Sequence, residues 1–433
     1  MFFKMLWRSF GEGTEYAAAS DNRNPIAQGL SVGWIWLSLL SAVGIVLPVD
    51  TDGRDLFVLT AESEGTVATR GFSNVKRFLD ELSEMALMEL IPGYTPSASA
   101  RMVLDVRGLP ALAEYPADST ALQFAVPSLG IDLSFAGATR DESRELFVDF
   151  LKGEGESILT RLLQGLVSET AVDPVAGNPN SLMAQMAQRD FAVSSADGLD
   201  RKMLGIGLMA GRSEASGFHT NMFTLPINYV VTLPDPRFLF IVDAPLRYVN
   251  VEGGEVFDGS LGLGLRIPLF ERPEAPALRW SVTPVVRAGV VESFDLGSLQ
   301  AAYSASATSK LEHARGDLLF TLNNMLGYYK TGTVARGWSG DYDLTNQIFR
   351  NGLKVEGSLG YQLFQEPATW EIQYVNTQIA GDDWFIDNYN EIAATVGTRR
   401  RDDRENWQIF RVGAKYTFAD EYDGFQLVLG YRF

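Results

Sequence analysis

The amino-acid sequence predicts an all-β transmembrane protein: a twelve-stranded antiparallel outer-membrane β-barrel preceded by a small N-terminal α+β region. Three observations carry this prediction. The last strand, Phe425–Phe433, places large apolar side chains on one face and small or polar ones on the other, because side chains alternate along a strand. The same alternation recurs from about residue 200 onward, in runs separated by Gly, Pro, Asp or Asn. The polar face of these runs carries ionisable side chains, which suits strands with lipid outside and a wet lumen inside.

Composition excludes several classes of protein. The chain has 433 residues and a formal net charge of −18, with 27 Asp/Glu against 14 Lys/Arg in residues 1–200. An acidic chain of this kind is a poor partner for nucleic acid, because phosphates call for a basic surface. The absence of cysteine removes disulfides, thiolate metal ligands and cysteine nucleophiles. Since 46% of the residues are apolar, the chain can build folded cores, and its length suits two domains.

Residues 1–44 are predicted to be a signal peptide or an N-terminal anchor. Gly29–Val49 is a run of 21 residues without a charge, which is long enough to cross a bilayer as a helix. Because this run lies near the N-terminus and Ala42-Val43-Gly44 offers a small-x-small cleavage site, we favour a signal peptide. An uncleaved anchor and a start codon assigned too early stay open. In each case we expect the rest of the chain to be exported.

Residues 45–195 are predicted to form a periplasmic α+β region. Apolar residues from Val75 to Leu90 have helical spacing, whereas Leu129–Phe135 alternates like a strand. Thr139 and Glu142 have the spacing of a capping box and predict the start of another helix. The simplest interpretation of these patterns is the core of a small folded unit.

The last helix of this region is a candidate plug for the barrel. Asp173–Pro179 breaks the chain as a linker would, and a short helix is predicted over Ser181–Phe191, directly before the first strand. This position allows the helix, or more of the region, to lie in the lumen. The candidate plug residues are Ser181, Met183, Met186 and Phe191.

Residues 196–433 are predicted to form the barrel. Twelve alternating runs are present, an even number that is typical of single-chain bacterial outer-membrane barrels. If the C-terminus is periplasmic, the short connections at Pro234–Pro236 and Gln365–Pro367 are periplasmic too, and the long one at Lys330–Arg350 is external. An even strand count returns the first strand to the periplasm, so we expect residues 45–195 to begin on that side.

The polar face of the runs supplies candidates for lumen-facing residues of both charge signs. If they pair across strands, they fill a narrow barrel; if water separates them, they line a weakly selective pore. The sequence leaves both possibilities open. The candidates are Arg247, Arg266, Arg279, Arg287, Lys354, Glu356, Glu371, Arg411 and Lys415.

No catalytic motif is evident. His219 and His313, the two histidines of the chain, fall at opposite ends of the predicted barrel and therefore do not share a site. Asp382-Asp383 could hold Ca²⁺, but a solvated turn is the simpler interpretation. We therefore predict no enzyme activity, no cofactor and no metal.

The C-terminal strand also resembles the recognition strand of bacterial outer-membrane barrels. Gln426, Tyr431 and Phe433 match the polar and aromatic positions of that signal, although Val428 stands where glycine is usual. With the twelve runs and the helix before the first strand, the chain resembles the translocator domain of autotransporters, in particular solitary barrels without a large passenger. The resemblance covers about residues 180–433.

This resemblance implies a helix in the lumen that joins an exported passenger to the barrel. It also implies outer-membrane lipid and the barrel-assembly machinery of a Gram-negative bacterium as partners. Residues 45–180 depart from the family pattern, because they are too short and irregular for the usual β-helical passenger. We expect a non-enzymatic barrel whose N-terminal segment plugs or guards the lumen.

Two alternative functions stay open. One is a passive, porin-like channel for small solutes. The other is a surface-binding protein acting through its outer loops, with Trp338, Tyr342 and Phe349 of the connection Lys330–Arg350 contacting an external partner whose identity the sequence does not indicate.

Overall fold

The computed structural model describes residues 54–194, 203–235, 237–272, 278–333, 340–398 and 409–432. The predicted signal peptide or anchor, residues 1–44, lies outside these ranges. Within them, none of the helices combines the length and apolar character needed to cross a membrane.

The first folded part, here called the N-terminal domain, comprises residues 54–169. Its strands form one antiparallel sheet in the order β2-β1-β3-β4-β5-β6. The elements are β1 (Phe57–Ser63), β2 (Thr66–Phe72), α1 (Val75–Asp80), α2 (Glu84–Leu90), β3 (Ala100–Val106), β4 (Leu109–Tyr115), β5 (Leu122–Val126), β6 (Ile131–Phe135), α3 (Arg140–Lys152) and α4 (Glu156–Glu169).

The helices of this domain begin where capping side chains allow. The helical pattern predicted from Val75 to Leu90 is present as two helices, because Ser83 starts the second one by accepting a hydrogen bond from the Ala86 amide at 3.3 Å. Thr139 is confirmed as the N-cap, because its hydroxyl accepts from the Glu142 amide at 3.1 Å. The reciprocal bond of a capping box is shifted by one residue: the Glu142 carboxylate accepts from the Ala138 amide at 2.6 Å. The strand predicted over Leu129–Phe135 begins at Ile131, after a single 3-10 turn.

A twelve-stranded antiparallel barrel follows, which confirms the predicted fold class. It closes where the last strand pairs with the first, from Arg432 opposite Gly205 to Tyr422 opposite Ala215. Two strands are interrupted, at Pro226 and at Ala244-Pro245, and therefore consist of two segments each. The elements are β7 (Met203–Ala215), β8 (Phe218–Leu225), β9 (Ile227–Thr232), β10 (Leu239–Asp243), β11 (Leu246–Val251), β12 (Gly254–Arg272), β13 (Leu278–Ser293), β14 (Ser298–Arg315), β15 (Leu318–Thr333), β16 (Thr345–Leu363), β17 (Glu366–Gly381), β18 (Asn388–Thr398), β19 (Ile409–Ala419) and β20 (Tyr422–Arg432).

The outer surface of the barrel is apolar. The alternating residues that the sequence assigns to this face point outward, and Leu326, Leu353 and Ile372 are each about half exposed. Such an extended apolar belt is unfavourable in water and matches the hydrocarbon core of a bilayer. The barrel is therefore an outer-membrane barrel.

The N-terminal domain and the C-terminus lie at opposite ends of the barrel. The domain contacts the connections that follow β7, β13, β15 and β17, here called the docked rim. Because β20 runs away from that rim, Arg432 lies at the other end, here called the terminal rim. The prediction that this domain and the C-terminus share the periplasmic side is therefore wrong. The physical reason is that the chain passes through the lumen before its first strand.

Candidate functional site

A helix, α5 (Leu182–Val193), lies inside the barrel. Its Asp190 carboxylate contacts β13, β14 and β15, and the Phe191 ring lies 5.3 Å from the guanidinium of Arg350 on β16. On another side, the Gln188 side-chain carbonyl accepts a hydrogen bond from Lys415 of β19 at 3.0 Å. Contacts in these different directions place the helix within the lumen.

The sequence of α5 suits an enclosed helix. Leu182, Met183, Met186 and Ala187 are all buried although they do not share one narrow stripe, and an apolar circumference is expected where a helix has protein on every side. Ser181 is the N-cap residue, yet its hydroxyl donates to the Asn178 carbonyl at 2.7 Å and does not accept from the helix. The loop before the helix is thereby held together.

The strongest polar contact of α5 is a buried ionic centre. Arg287 of β13 donates through Nε to the Asp190 carboxylate at 2.6 Å and through Nη2 to Asp243 at 2.8 Å. Asp243 also pairs with Arg189 of the helix. The second Asp190 oxygen accepts from the Tyr329 hydroxyl at 2.9 Å. Burial of charge is costly unless each charge is paired, so this network fixes the helix to the wall.

A second network of ion pairs joins strands β16, β18 and β19. Glu391 accepts from Lys415 at 2.8 Å and also pairs with the buried Arg350, next to the end of α5. Closer to the terminal rim, Glu371 lies 3.4 Å from Lys354 and 3.6 Å from Arg411. The mixed charges in this part of the lumen therefore pair between strands that are adjacent or one strand apart.

A cavity of about 770 Å³ lies between α5 and the terminal rim, and it opens toward that rim. Its inner end is formed by Gln185, Gln188, Arg189 and Phe191 of the helix. Arg279 and Glu271 lie near its mouth, where they form an exposed ion pair at 3.4 Å. The cavity is thus a vestibule that ends at the helix.

The lumen candidates from the sequence fall into two groups. Arg287 and Arg247 lie beside α5 and its preceding loop, and Arg247 pairs with Asp258 at 2.6 Å. The others line the vestibule: Arg266, Arg279, Lys354, Glu356, Glu371, Arg411 and Lys415.

The plug and assembly-signal candidates are also located in part. Ser181, Met183, Met186 and Phe191 are buried in or at the start of α5. Gln426 is buried, with its amide 2.8 Å from the Met222 sulfur. The Tyr431 side chain and Phe433 lie outside the part of the chain that the structure describes.

Sequence reasoning missed several members of the two networks. Arg189 and Asp190 are the two charged residues of an otherwise neutral helix. This contrast is the signal in the sequence that could have identified Asp190 as a member of an ion-pair network. The sequence pattern places Arg350 at the end of a loop, whereas β16 already begins at Thr345 and directs Arg350 inward. Glu391 lies in the run with the weakest alternation, which gives no clear signal for its inward position.

The loop before α5 and the N-terminal domain meet the docked rim in a second buried cluster. The Arg107 side chain donates to Asp295 of the β13–β14 connection and to the Val172 carbonyl at 2.5 Å. Asp173 accepts from the amides of Val175 and Ala176 at 2.8 and 3.1 Å. Its other oxygen accepts from the Tyr342 hydroxyl at 2.9 Å.

Asp173 is perturbed by this position. It lies outside the membrane-spanning strands and is fully buried, and burial raises the pKa of its carboxyl to about 6, although the neighbouring amides, Arg107 and Tyr342 favour the ionised form. Tyr342 itself is buried, so it is not available to an external partner, contrary to the surface-binding hypothesis for this residue. Trp338 of the same connection lies outside the described residues.

The two histidines lie at opposite ends of the barrel, as the sequence predicts. His219 lies near the docked rim with Nδ1 3.0 Å from Glu252, whereas His313 lies on β14 near the terminal rim. Asp382 joins the turn after β17 to the start of β16, because its carboxylate accepts from the Thr345 amide. Among the described residues there is also no group of three His, Cys, Asp or Glu side chains that could hold a metal ion.

Comparison with known proteins gives structural likenesses. No family model and no curated protein matches the chain. The β-domain of the Bordetella autotransporter BrkA is similar over 54% of this chain and 99% of its own, at 12% identity and a TM-score of 0.40. The translocator domain of NalP from Neisseria meningitidis is similar over 58% of this chain and 95% of its own, at 11% identity and a TM-score of 0.40.

An outer-membrane channel from Pseudomonas putida F1 is also similar, over 55% of this chain and 96% of its own, at 12% identity and a TM-score of 0.39. Since all three likenesses are low, the assignment of an outer-membrane barrel rests on the strand pairing and the apolar belt described above.

Proposed function

We propose that this chain is a non-enzymatic, autotransporter-like outer-membrane protein in which α5 closes the barrel and holds the N-terminal domain at the cell surface. The observation that carries the proposal is the buried ionic centre of Arg287, Asp190 and Asp243. A helix that only passed through a pore would not need charges paired so completely with the wall. The surrounding strands contribute hydroxyl donors to the same carboxylate, which favours a permanent position.

The external position of the N-terminal domain follows if the C-terminus is periplasmic, as the resemblance to outer-membrane barrels implies. The docked rim is then the external one. The passenger of this chain would be the domain of residues 54–169, which is smaller than the usual β-helix. A binding function would then belong to this domain, because the domain and the loop before α5 cover Tyr342 of the long loop.

The passive channel is the second candidate, and conductance in a planar bilayer separates it from a closed barrel. We expect the full chain to be silent, because the vestibule ends at α5. A chain that begins at Val172 lacks the N-terminal domain but keeps α5, and we expect it to be silent as well. A chain that begins at Ser195 lacks the helix and should conduct.

Comparison of the two shortened chains assigns the block to the helix or to the domain. Conductance in the full chain would favour the porin-like function and exclude a permanent plug. Silence of the chain that begins at Ser195 would indicate that the paired charges alone fill the lumen.

The orientation is tested by labelling single cysteines, which the cysteine-free chain permits without background. Glu62→Cys lies on an exposed part of β1 in the N-terminal domain, and Asp317→Cys lies in the β14–β15 connection at the terminal rim. On intact cells we expect a membrane-impermeant maleimide to label position 62 and to reach position 317 only after the outer membrane is permeabilised. The reverse pattern would contradict the proposed orientation.

A further inference from the structure

A row of asparagines crosses the outer face of the barrel. Asn324, Asn351, Asn376 and Asn390 stand directly opposite one another on the four adjacent strands β15 to β18. This set is here called the amide track. Strict register over four strands means that the four side chains form one continuous line on the wall, perpendicular to the strand direction.

Two members of the track, Asn324 and Asn351, lie within the apolar belt of the outer surface. Asn324 is exposed between Leu322 and Leu326, which are 45% and 51% exposed on the same face. Asn351 is exposed next to Leu353, which is likewise half exposed. Lipid tails offer no hydrogen bonds, so an amide at this position is unfavourable unless another polar group meets it.

Hydrogen bonds within the track satisfy it only in part. The Asn324 side-chain NH₂ donates to the Asn351 side-chain oxygen at 2.7 Å, and Asn376 donates to Asn390 at 3.0 Å. Tyr374 adds a donor to Asn390 at 2.6 Å. Within the part of the chain that the structure describes, the Asn351 Nδ2 group and the Asn324 Oδ1 atom have no hydrogen-bond partner. One free donor and one free acceptor thus remain side by side on the lipid-facing wall.

We propose that the amide track is the contact surface for a second copy of this chain in the membrane. The free groups of Asn351 and Asn324 are complementary to each other, so the same pair on a second copy supplies the missing donor and acceptor. A two-fold axis along the membrane normal brings identical surfaces together in this way.

The tilt of the strands predicts where the two copies meet. Because barrel strands are inclined to the axis, the track slopes across the wall. A two-fold axis along the membrane normal gives the partner track the opposite slope, so the tracks cross at one point. The free groups place this crossing at Asn351 and Asn324.

The adjacent strand permits close approach. Ala305 and Ala307 of β14 point outward beside Tyr328 and Leu326 of β15, and both alanines are exposed. Small side chains next to a polar contact let two walls approach closely in a membrane. A lipid headgroup is a poorer fit, because Leu322 and Leu326 place the free groups of the track within the hydrocarbon.

Single-cysteine cross-linking in native membranes tests the contact. We expect Asn351→Cys to form a disulfide-linked dimer under mild oxidation, at a yield several times that of Leu263→Cys. Leu263 is a matched control, because it is exposed on the apolar face of β12, four strands away from β16. Equal yields at the two positions would overturn the proposal, and so would a cross-link from position 351 to a different protein.

A second variant avoids cysteine. The double variant Asn324→Leu, Asn351→Leu places apolar side chains on the lipid-facing wall, so the barrel should still insert and fold. Heat-dependent mobility in electrophoresis measures whether it has folded. We expect the dimer dissociation constant, measured by energy transfer on dilution into lipid, to rise about tenfold, because two intermolecular hydrogen bonds are lost. An unchanged dissociation constant in the folded variant would overturn the proposal as well.

Discussion

Replacement of Arg287 with alanine is expected to release α5 from the barrel wall, at a cost of about 3–5 kcal/mol, the range for breaking a buried ion pair by removing one partner. Arg287 is fully buried and is the cation that joins the helix residue Asp190 to the wall residue Asp243. Without it, the Asp190 carboxylate keeps the hydroxyls of Tyr329 and two serines but has no positive charge beside it.

The expected result of Arg287→Ala is a barrel that conducts although the full chain is present. Conductance in a planar bilayer and the free energy of unfolding in guanidinium chloride measure the two consequences. Arg279→Ala is a matched control on the same strand, because Arg279 pairs with Glu271 in an exposed position, where a pair contributes at most about 1 kcal/mol.

A double variant separates loss of the pair from loss of packing. Arg287→Ala with Asp190→Ala removes the cation together with the carboxylate that would be left in the lumen, whereas Asp243 keeps Arg189. We expect the double variant to be more stable than Arg287→Ala alone, since an unpaired buried charge costs more than an absent pair. If Arg287→Ala behaves like Arg279→Ala, the ionic centre does not hold the helix.

The strands of this protein could be predicted from the sequence because the membrane enforces one physical rule. Lipid on one face and polar groups on the other make each strand alternate, and all twelve predicted runs coincide with barrel strands. The least regular run, around Ile392, belongs to β18, where Glu391 faces inward. The alternation is weak there because Ala393 and Ala394 give little contrast between the two faces.

The location of the N-terminal domain could not be predicted from strand parity. An even number of strands places the start of β7 at the terminal rim together with the C-terminus, as predicted. The sequence does not say from which end the preceding helix enters the lumen. With 12 residues, α5 advances about 18 Å along its axis, enough to carry the chain toward the opposite end. A linker pattern at Asp173–Pro179 gives no sign of that direction.

The ion-pair partners of the lumen charges could not be predicted from the sequence either. Lys354 and Glu356 are two residues apart on one strand, and their spacing says nothing about the neighbouring strand. The register between strands decides which charges pair. Lys354 stands opposite Gln373 on β17 and forms an ion pair with Glu371, which also pairs with Arg411. Register depends on turn geometry and on the whole sheet, so it is not a local property of either run.

Acidification is expected to stabilise the contact between the N-terminal domain and the docked rim, through Asp173. The folded-state pKa of this carboxyl is about 6, against 3.8 for an ordinary Asp, because it is buried. A raised folded pKa means that the stabilising contribution is complete below pH 3.8 and is lost as the pH rises through about 6. The difference corresponds to about 3 kcal/mol between these limits.

The variant Asp173→Asn isolates this effect from all other titrating groups. Its amide oxygen can still accept from Val175 and Ala176, but it carries no charge at any pH. We expect its free energy of unfolding, relative to that of the unaltered chain, to rise by about 2 kcal/mol between pH 4 and pH 7, because pH 4 is just above the unfolded pKa and part of the effect is already lost there.

Pulse proteolysis of the N-terminal domain in urea measures this difference at each pH. Asp118→Asn, in an exposed loop of the same domain, reports how the loss of one negative charge alone alters stability. A constant difference between the Asp173→Asn variant and the unaltered chain across this range would mean that Asp173 stays ionised in the folded protein. In that case the hydrogen bonds from Val175, Ala176 and Tyr342, together with Arg107, would outweigh the cost of burial.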